Sequence, residues 1–221
     1  MIVKITQTAS NIKQLFYIDS DDFNFHGELG SWDKYQSISL SNEESVIKGV
    51  HRFSNWVNYI PLRYLFGYTN ITRVFDLYRN ENKYGNIVFS EHGFHKSYYL
   101  IQLDNGPVFH CYSRSKGSFN YVSIYEKDKQ IALIETLLNV EDFKYTHKLY
   151  ILNDYKQFAD TLSFFVLYYA NFKFSQRFHM SSGSQNVKAW SFSRYNYKYD
   201  PEWREKNFPN ENYFGKTSIF T

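Results

Sequence analysis

The stretch from Asp154 to Phe174 limits what this chain can fold into more than any other segment. It contains neither Gly nor Pro, and its apolar residues cover every angle of a helical wheel. Phe158, Leu162, Phe164, Phe165, Val166, Leu167, Tyr168, Tyr169 and Phe172 leave no hydrophilic face. A helix of that composition has to be surrounded on all sides, because no orientation turns a polar stripe toward water. As a helix it would run about 30 Å, the diameter of a small domain. Asp154 with Gln157 three residues on resembles a capping box, in which side chains satisfy the orphan N–H groups of the first turn. Phe, Val and Tyr favour strands. Two strands would need a turn between them, however, and the stretch holds neither Gly nor Pro to make one. We read it as a buried helix and ask what encloses it.

Before Asn153 the chain consists of short segments rich in β-branched and aromatic residues, each ending in polar turn residues. Ser37–Leu40 and Val46–Val50 flank the turn Ser41–Ser45, and Val74–Tyr78 and Asn86–Phe89 flank Arg79–Lys83. Tyr121–Tyr125 and Ile131–Glu135 flank Glu126–Gln130. Between them, Ser97–Leu103 and Val108–Tyr112 are joined through Asn105 and Gly106, a pair that tolerates positive φ and is a strong hairpin signal. The repeated unit of strand, polar tip and strand predicts an all-β sandwich or barrel and argues against the strand–helix alternation of a parallel sheet. Closing the sheet would also remove the edge strands that invite aggregation.

Antiparallel hairpins with polar tips followed by one wholly apolar helix resemble the tubby C-terminal-like domains of Firmicutes, relatives of the tubby, LURP-one and phospholipid scramblase barrels. The residues that carry the likeness are Leu77–Val88, Ser123–Ala132 and Asp154–Phe174, and it covers roughly Leu15 to Phe174. The resemblance implies a mainly β fold: a closed antiparallel barrel of about a dozen strands around a central hydrophobic helix. It implies a module that binds something, a phosphoinositide for tubby proteins and membrane lipid for scramblase relatives. No basic headgroup motif matches residue by residue, so it carries over no ligand and no site. Residues 1–180 are expected to form the barrel, with the helix at about 154–174. Ser181–Ser184 is a flexible punctuation mark and candidate hinge, and 181–221 is an aromatic and basic extension packed on the barrel or projecting from it.

Charge and composition narrow the function classes. The net charge is +3, with acidic residues among the basic ones nearly everywhere, so no continuous phosphate-binding stripe is present and specific duplex DNA binding is not expected. With 21 Tyr and 21 Phe the chain is rich in aromatics, but they run along its whole length, as AT-rich coding would produce. The only cysteine, Cys111, cannot form an intramolecular disulfide, which is compatible with a reducing cytosol. Its neighbour His110 would point to the opposite face of a strand, so Cys111 reads as a buried structural residue. The N-terminal residues lack the apolar run of a signal peptide, and Leu162–Tyr169 is far short of a membrane span. The expectation is a cytoplasmic protein that does not cross a membrane.

No G-x-S-x-G, P-loop, G-x-G-x-x-G or H-E-x-x-H motif occurs. His92 and His95 near Glu91 are the nearest thing to a metal pair, but zinc needs three or four ligands and no motif completes the set. The acidic pairs Asp21–Asp22 and Glu43–Glu44 fall at hairpin tips, where they favour solubility. No cofactor and no catalytic residue is therefore expected. Two segments stand out as interaction candidates. Arg52, Trp56, Tyr59, Arg63 and Phe66 could lie on an anionic membrane interface as a peripheral phospholipid contact; alternatively, that segment plugs a barrel end. Trp190, Arg194, Tyr197, Lys198 and Trp203 interleave aromatic and basic residues, as in single-strand nucleic-acid platforms, in an arm that docks a partner, or in a tail packed on the barrel. The leading expectation is a non-enzymatic binding module with a lipid or protein ligand. The alternatives are an immunity-type protein that neutralises a toxin and, further off, an enzyme acting on carbohydrate or lipid, which would need a deep pocket with two convergent titratable groups.

Overall fold

The computed structural model describes residues 1–10, 13–30, 38–52, 70–92, 96–117, 119–138, 144–174, 189–190 and 193–210. Twelve antiparallel strands precede the helix. They are β1 (Ile2–Ser10), β2 (Lys13–Asp19), β3 (Asn24–Gly30), β4 (Ile38–Ser41), β5 (Val46–Arg52) and β6 (Asn70–Arg79). There follow β7 (Asn82–His92), β8 (Ser97–Leu103), β9 (Val108–Gly117), β10 (Phe119–Glu126), β11 (Lys129–Leu138) and β12 (Tyr145–Ile151). Each pairs with its neighbours in sequence, and β1 pairs with β12, Val3 opposite Leu149, so the sheet closes on itself. The fold is a closed up-and-down barrel.

The four hairpins read from the sequence are present as β4–β5, β6–β7, β8–β9 and β10–β11. Two are tighter than their polar tips suggested. β6 runs to Arg79 and β7 starts at Asn82, leaving a two-residue turn in which Asn80 and Glu81 take φ of 46° and 71°. Such turns match the right-handed twist of paired strands, which lets the ladder continue farther toward the tip. The Asn80 side-chain carbonyl also accepts the Val46 amide at 2.9 Å, tying this tip to the start of β5.

Side chains alternate between the two faces of each strand. Val3, Ile5, Phe16, Ile18, Leu40, Ile47, Phe75, Leu77, Ile87, Ile101, Phe109, Ile124, Ile134 and Leu149 point inward and are buried. The space they enclose is taken by α1 (Ala159–Phe174), whose residues from Ala159 to Asn171 are all buried except Asp160. Tyr99 meets Phe165, Tyr168 and Tyr169 at ring centroids 5.7, 6.0 and 5.8 Å apart, and Phe75 meets Tyr168 at 5.0 Å. Glycines make room where strand and helix come closest. A Cβ on Gly27 would stand 2.6 Å from Leu167 Cδ1, and one on Gly49 2.6 Å from Phe164 Cζ.

The helix begins later than the capping signal indicated. Asn153–Phe158 form a 3-10 segment whose cap, Leu152, makes no side-chain cap bond. Asp154 is turned to solvent, with Lys129 Nζ 3.6 Å from its carboxylate. Ion pairs and a hydrogen bond fix the helix to the rim instead. Arg79 pairs with Asp160 at 2.5 Å, and the Tyr155 hydroxyl donates to Glu126 at 2.6 Å. Asp22, at the β2–β3 tip, faces Lys156 at 3.8 Å. At this rim the interior is apolar. Toward the other rim it turns polar, with Gln7, Gln14, His51, Ser115, Asn120, Thr136 and His147 buried.

Beyond the helix, β13 (Ala189–Trp190) adds to β9 at Gly117 and Lys116. The chain then crosses the outer wall of the barrel through a 3-10 turn at Asn196–Lys198 and the short α2 (Trp203–Asn207). Among the described residues no helix is long and apolar enough to cross a membrane.

Candidate functional site

The inner row of polar residues comes from strand register. Ser115 faces Asn120, Asn120 faces Thr136, and Thr136 faces His147. The Ser115 hydroxyl donates to Asn120 Oδ1 at 2.6 Å, and Thr136 Oγ1 lies 2.8 Å from His147 Nδ1. Burial pushes the His147 pKa down to about 3, so the ring is neutral and serves the packing of β11 on β12. Cys111 is also fully buried, and desolvation raises its thiol well above the usual range, opposite to what a nucleophile needs. Among the described residues no group of three or more His, Cys, Asp or Glu is placed to hold a metal. His92 Nε2 lies 2.9 Å from Ser90 Oγ, and His95 falls outside the described residues.

The outer wall holds a different surface. Alternation that buries Tyr99, Phe109, Cys111 and Ile124 turns Tyr98, His110, Tyr112, Arg114 and Tyr125 outward. Tyr98 stands 6.3 Å from His110 and 6.2 Å from Tyr112, ring centre to ring centre, and Tyr112 5.9 Å from Tyr125. The crossing segment adds Tyr195, 5.0 Å from Tyr112 and 5.8 Å from Tyr98. Tyr197 beside it is 74% exposed. Burial raises the phenol pKa of Tyr112 to about 12, helped by the neighbouring phenols, and raises that of Tyr125 and Tyr195. Burial and the Lys198 charge lower the imidazole pKa of His110. The face thus gathers the rings and hydroxyls of Tyr112, Tyr125 and Tyr197 around Lys198.

Beside this face the segment is bolted down. Trp203 is 8% exposed and packs with Leu133, Tyr150, Tyr199 and Phe208. Arg204 pairs with Glu135 at 2.5 Å, and Glu135, 3% exposed, also accepts the Tyr150 hydroxyl at 3.2 Å. Arg114 lies over the Tyr199 ring at 5.0 Å, and Tyr199 stands 4.7 Å from Tyr121.

The residues singled out from the sequence separate accordingly. Tyr197 and Lys198 lie together at the tyrosine face; Arg194 is exposed in the same segment. Trp203 is committed to packing inside the molecule. Trp190 has its backbone in β13, and its side chain lies outside the described residues. Arg52 stands at the end of β5 and pairs with Asp76, which also takes Lys83 at 3.0 Å. Trp56, Tyr59, Arg63 and Phe66 lie outside the described residues. Sequence reasoning missed Tyr98, His110, Tyr112, Tyr125 and Tyr195. The signal was available: in Ser97–Leu103 and Val108–Tyr112 the outward positions carry rings where a solvated strand carries small or charged polar groups.

No protein-family model matches the chain, and neither a curated protein nor a solved structure does.

Proposed function

We propose that this chain is a tubby-like barrel, akin to the tubby, LURP-one and phospholipid scramblase domains, that serves in the cytoplasm as a non-enzymatic module binding a protein partner. One observation carries this reading: α1 fills the barrel with buried side chains, so that recognition falls to the outer wall. The tyrosine face supports a protein partner over an anionic lipid. Tyrosines give large contact area at small conformational cost and are enriched at protein interfaces. Arg52, by contrast, already has its guanidinium on Asp76.

Photo-crosslinking in the source cells tests the proposal. A benzophenone amino acid at Tyr197 should give a discrete crosslinked protein that the same group at Leu15, exposed on β2, does not. Identical patterns at the two positions, or none at either, would overturn the protein-partner reading. Flotation with anionic vesicles at low salt would assign the ligand to lipid instead.

A further inference from the structure

We infer that Tyr112, Tyr125 and Tyr197 form an aromatic cage for a quaternary ammonium group, closed in this structure by the protein's own Lys198. The Lys198 Nζ stands 5.1 Å from the ring centre of Tyr125, 5.7 Å from Tyr197 and 5.8 Å from Tyr112. Among the described residues it forms no ion pair. Ring faces therefore hold this cation, through their negative quadrupoles. Three features make the cluster a built site. Tyr112 and Tyr125 project from the adjacent strands β9 and β10, nearly at right angles with an interplanar angle of 69°, so two walls are set by the sheet. His110, packed against Tyr112, is kept neutral by burial and by Lys198 itself and adds no competing charge. The ammonium stands 5.1–5.8 Å from the three ring centres, within the range over which a ring face attracts a cation.

The third wall does not depend on the lysine side chain. The Tyr125 hydroxyl donates to the Lys198 backbone carbonyl at 2.7 Å, and the Lys198 amide donates to the Tyr195 carbonyl at 2.9 Å. Removing the side chain thus opens the cage and leaves the turn that carries Tyr197 anchored. Lys198 acts as a tethered competitor that an external cation has to displace. The inference goes beyond the protein-partner reading, since a small cation would bind whether or not the face has a protein partner.

The test follows the methyl proton resonance of tetramethylammonium chloride titrated with the full chain, with sodium chloride as the salt control. Lys198→Ala is expected to bind it about tenfold more tightly than wild type, with the methyl signal shifted upfield by the ring currents. Lys198→Ala with Tyr197→Leu is expected to lose that gain; Tyr197 is exposed, so this variant should melt with Lys198→Ala. No upfield shift with Lys198→Ala, or an equal shift after loss of Tyr197, would overturn the proposal. A trimethyllysine peptide and phosphocholine, titrated in parallel, separate a protein source of the group from a lipid headgroup. Crosslinking at Tyr197 has an independent readout, so either reading can fail alone.

Discussion

Gly49→Ala is the most direct probe of whether the helix fills the barrel. Gly49 lies on β5 with its side-chain position directed at the interior, where a Cβ would stand 2.0 Å from Phe75 Cε1 and 2.6 Å from Phe164 Cζ. Ordinary carbon contacts lie at about 3.5–4 Å, so the Phe75 ring would have to retreat by more than an ångström. Behind it lie Phe164 and Tyr168, at ring centroids 6.3 and 5.0 Å. A close-packed interior has no void to receive the ring. Adding one methylene to such a core costs about 1–3 kcal/mol, and two blocked rings place this substitution near the upper end, about 2–3 kcal/mol. For a chain of this size that is a fall in Tm of roughly 5–10 °C.

Phe164→Leu, by trimming the ring behind, should cost on the order of 1–2 kcal/mol alone. It also gives Phe75 somewhere to go, so the double variant should be more stable than the summed costs by about 1 kcal/mol or more. Urea unfolding followed by circular dichroism measures all four corners of the cycle. If Gly49→Ala lies within about 0.5 kcal/mol of wild type, or if the two costs simply add, Phe164 does not stand against β5 and the filled interior is wrong.

Three further outcomes follow from contacts elsewhere. His147 has a folded pKa of about 3 against an ordinary 6.5, so below about pH 6.5 the unfolded chain binds a proton the folded chain refuses; its contribution to stability falls by up to about 1.4 kcal/mol per pH unit as the pH drops toward 3. His147→Gln should therefore show a flatter stability profile between pH 6.5 and 4, and parallel profiles would disprove the buried neutral ring. Arg204→Met strands the buried Glu135 carboxylate, which should cost about 2–4 kcal/mol and speed amide exchange across Trp203–Asn207 while the barrel strands stay protected; adding Glu135→Gln should restore much of the loss. Unchanged exchange in α2 would show that this ion pair does not hold the segment. Glu81→Gly relieves a positive φ in the β6–β7 turn and should raise the urea midpoint by the equivalent of about 0.5–1 kcal/mol; a lower midpoint would mean the turn carries no strain.

What could be read in advance, and what could not, follows from the range of each interaction. The hairpins were legible because a polar tip between alternating strands is a local pattern, and Asp154–Phe174 because apolar residues on every side of a helix demand enclosure whatever the fold. Two-residue turns were not, since Asn80 and Glu81 lie in a run of polar residues that gives no hint of where pairing stops. The capping signal at Asp154 failed because the segment opens as a 3-10 turn with Leu152 at the cap position, which leaves the Asp154 side chain exposed. Contacts between distant positions left no trace in the sequence. Glu135 and Arg204 are 69 residues apart, and nothing near either identifies the other. Arg52 was legible as a cation, but its partner Asp76 depends on the register of β5 against β6.

The same reasoning underlies the proposal that recognition falls to the outer wall, since among the described residues α1 fills the apolar part of the barrel. Barrel diameter grows with strand number, and about eight strands already give an interior that side chains alone just fill. With twelve, something more has to occupy the middle, and here it is α1. The helix thus takes up space that the inward side chains of twelve strands would not fill by themselves. Outward strand positions, free of that demand, would ordinarily carry polar groups. Tyr98, Tyr112 and Tyr125 do not follow that pattern, and the crossing segment that covers part of the wall leaves Tyr197 in the open. Because Tyr197 contributes little buried surface, Tyr197→Ala should leave the urea midpoint where it is. A loss of stability above about 1 kcal/mol would instead make Tyr197 part of the packing and remove the exposed wall on which both the partner reading and the cage depend.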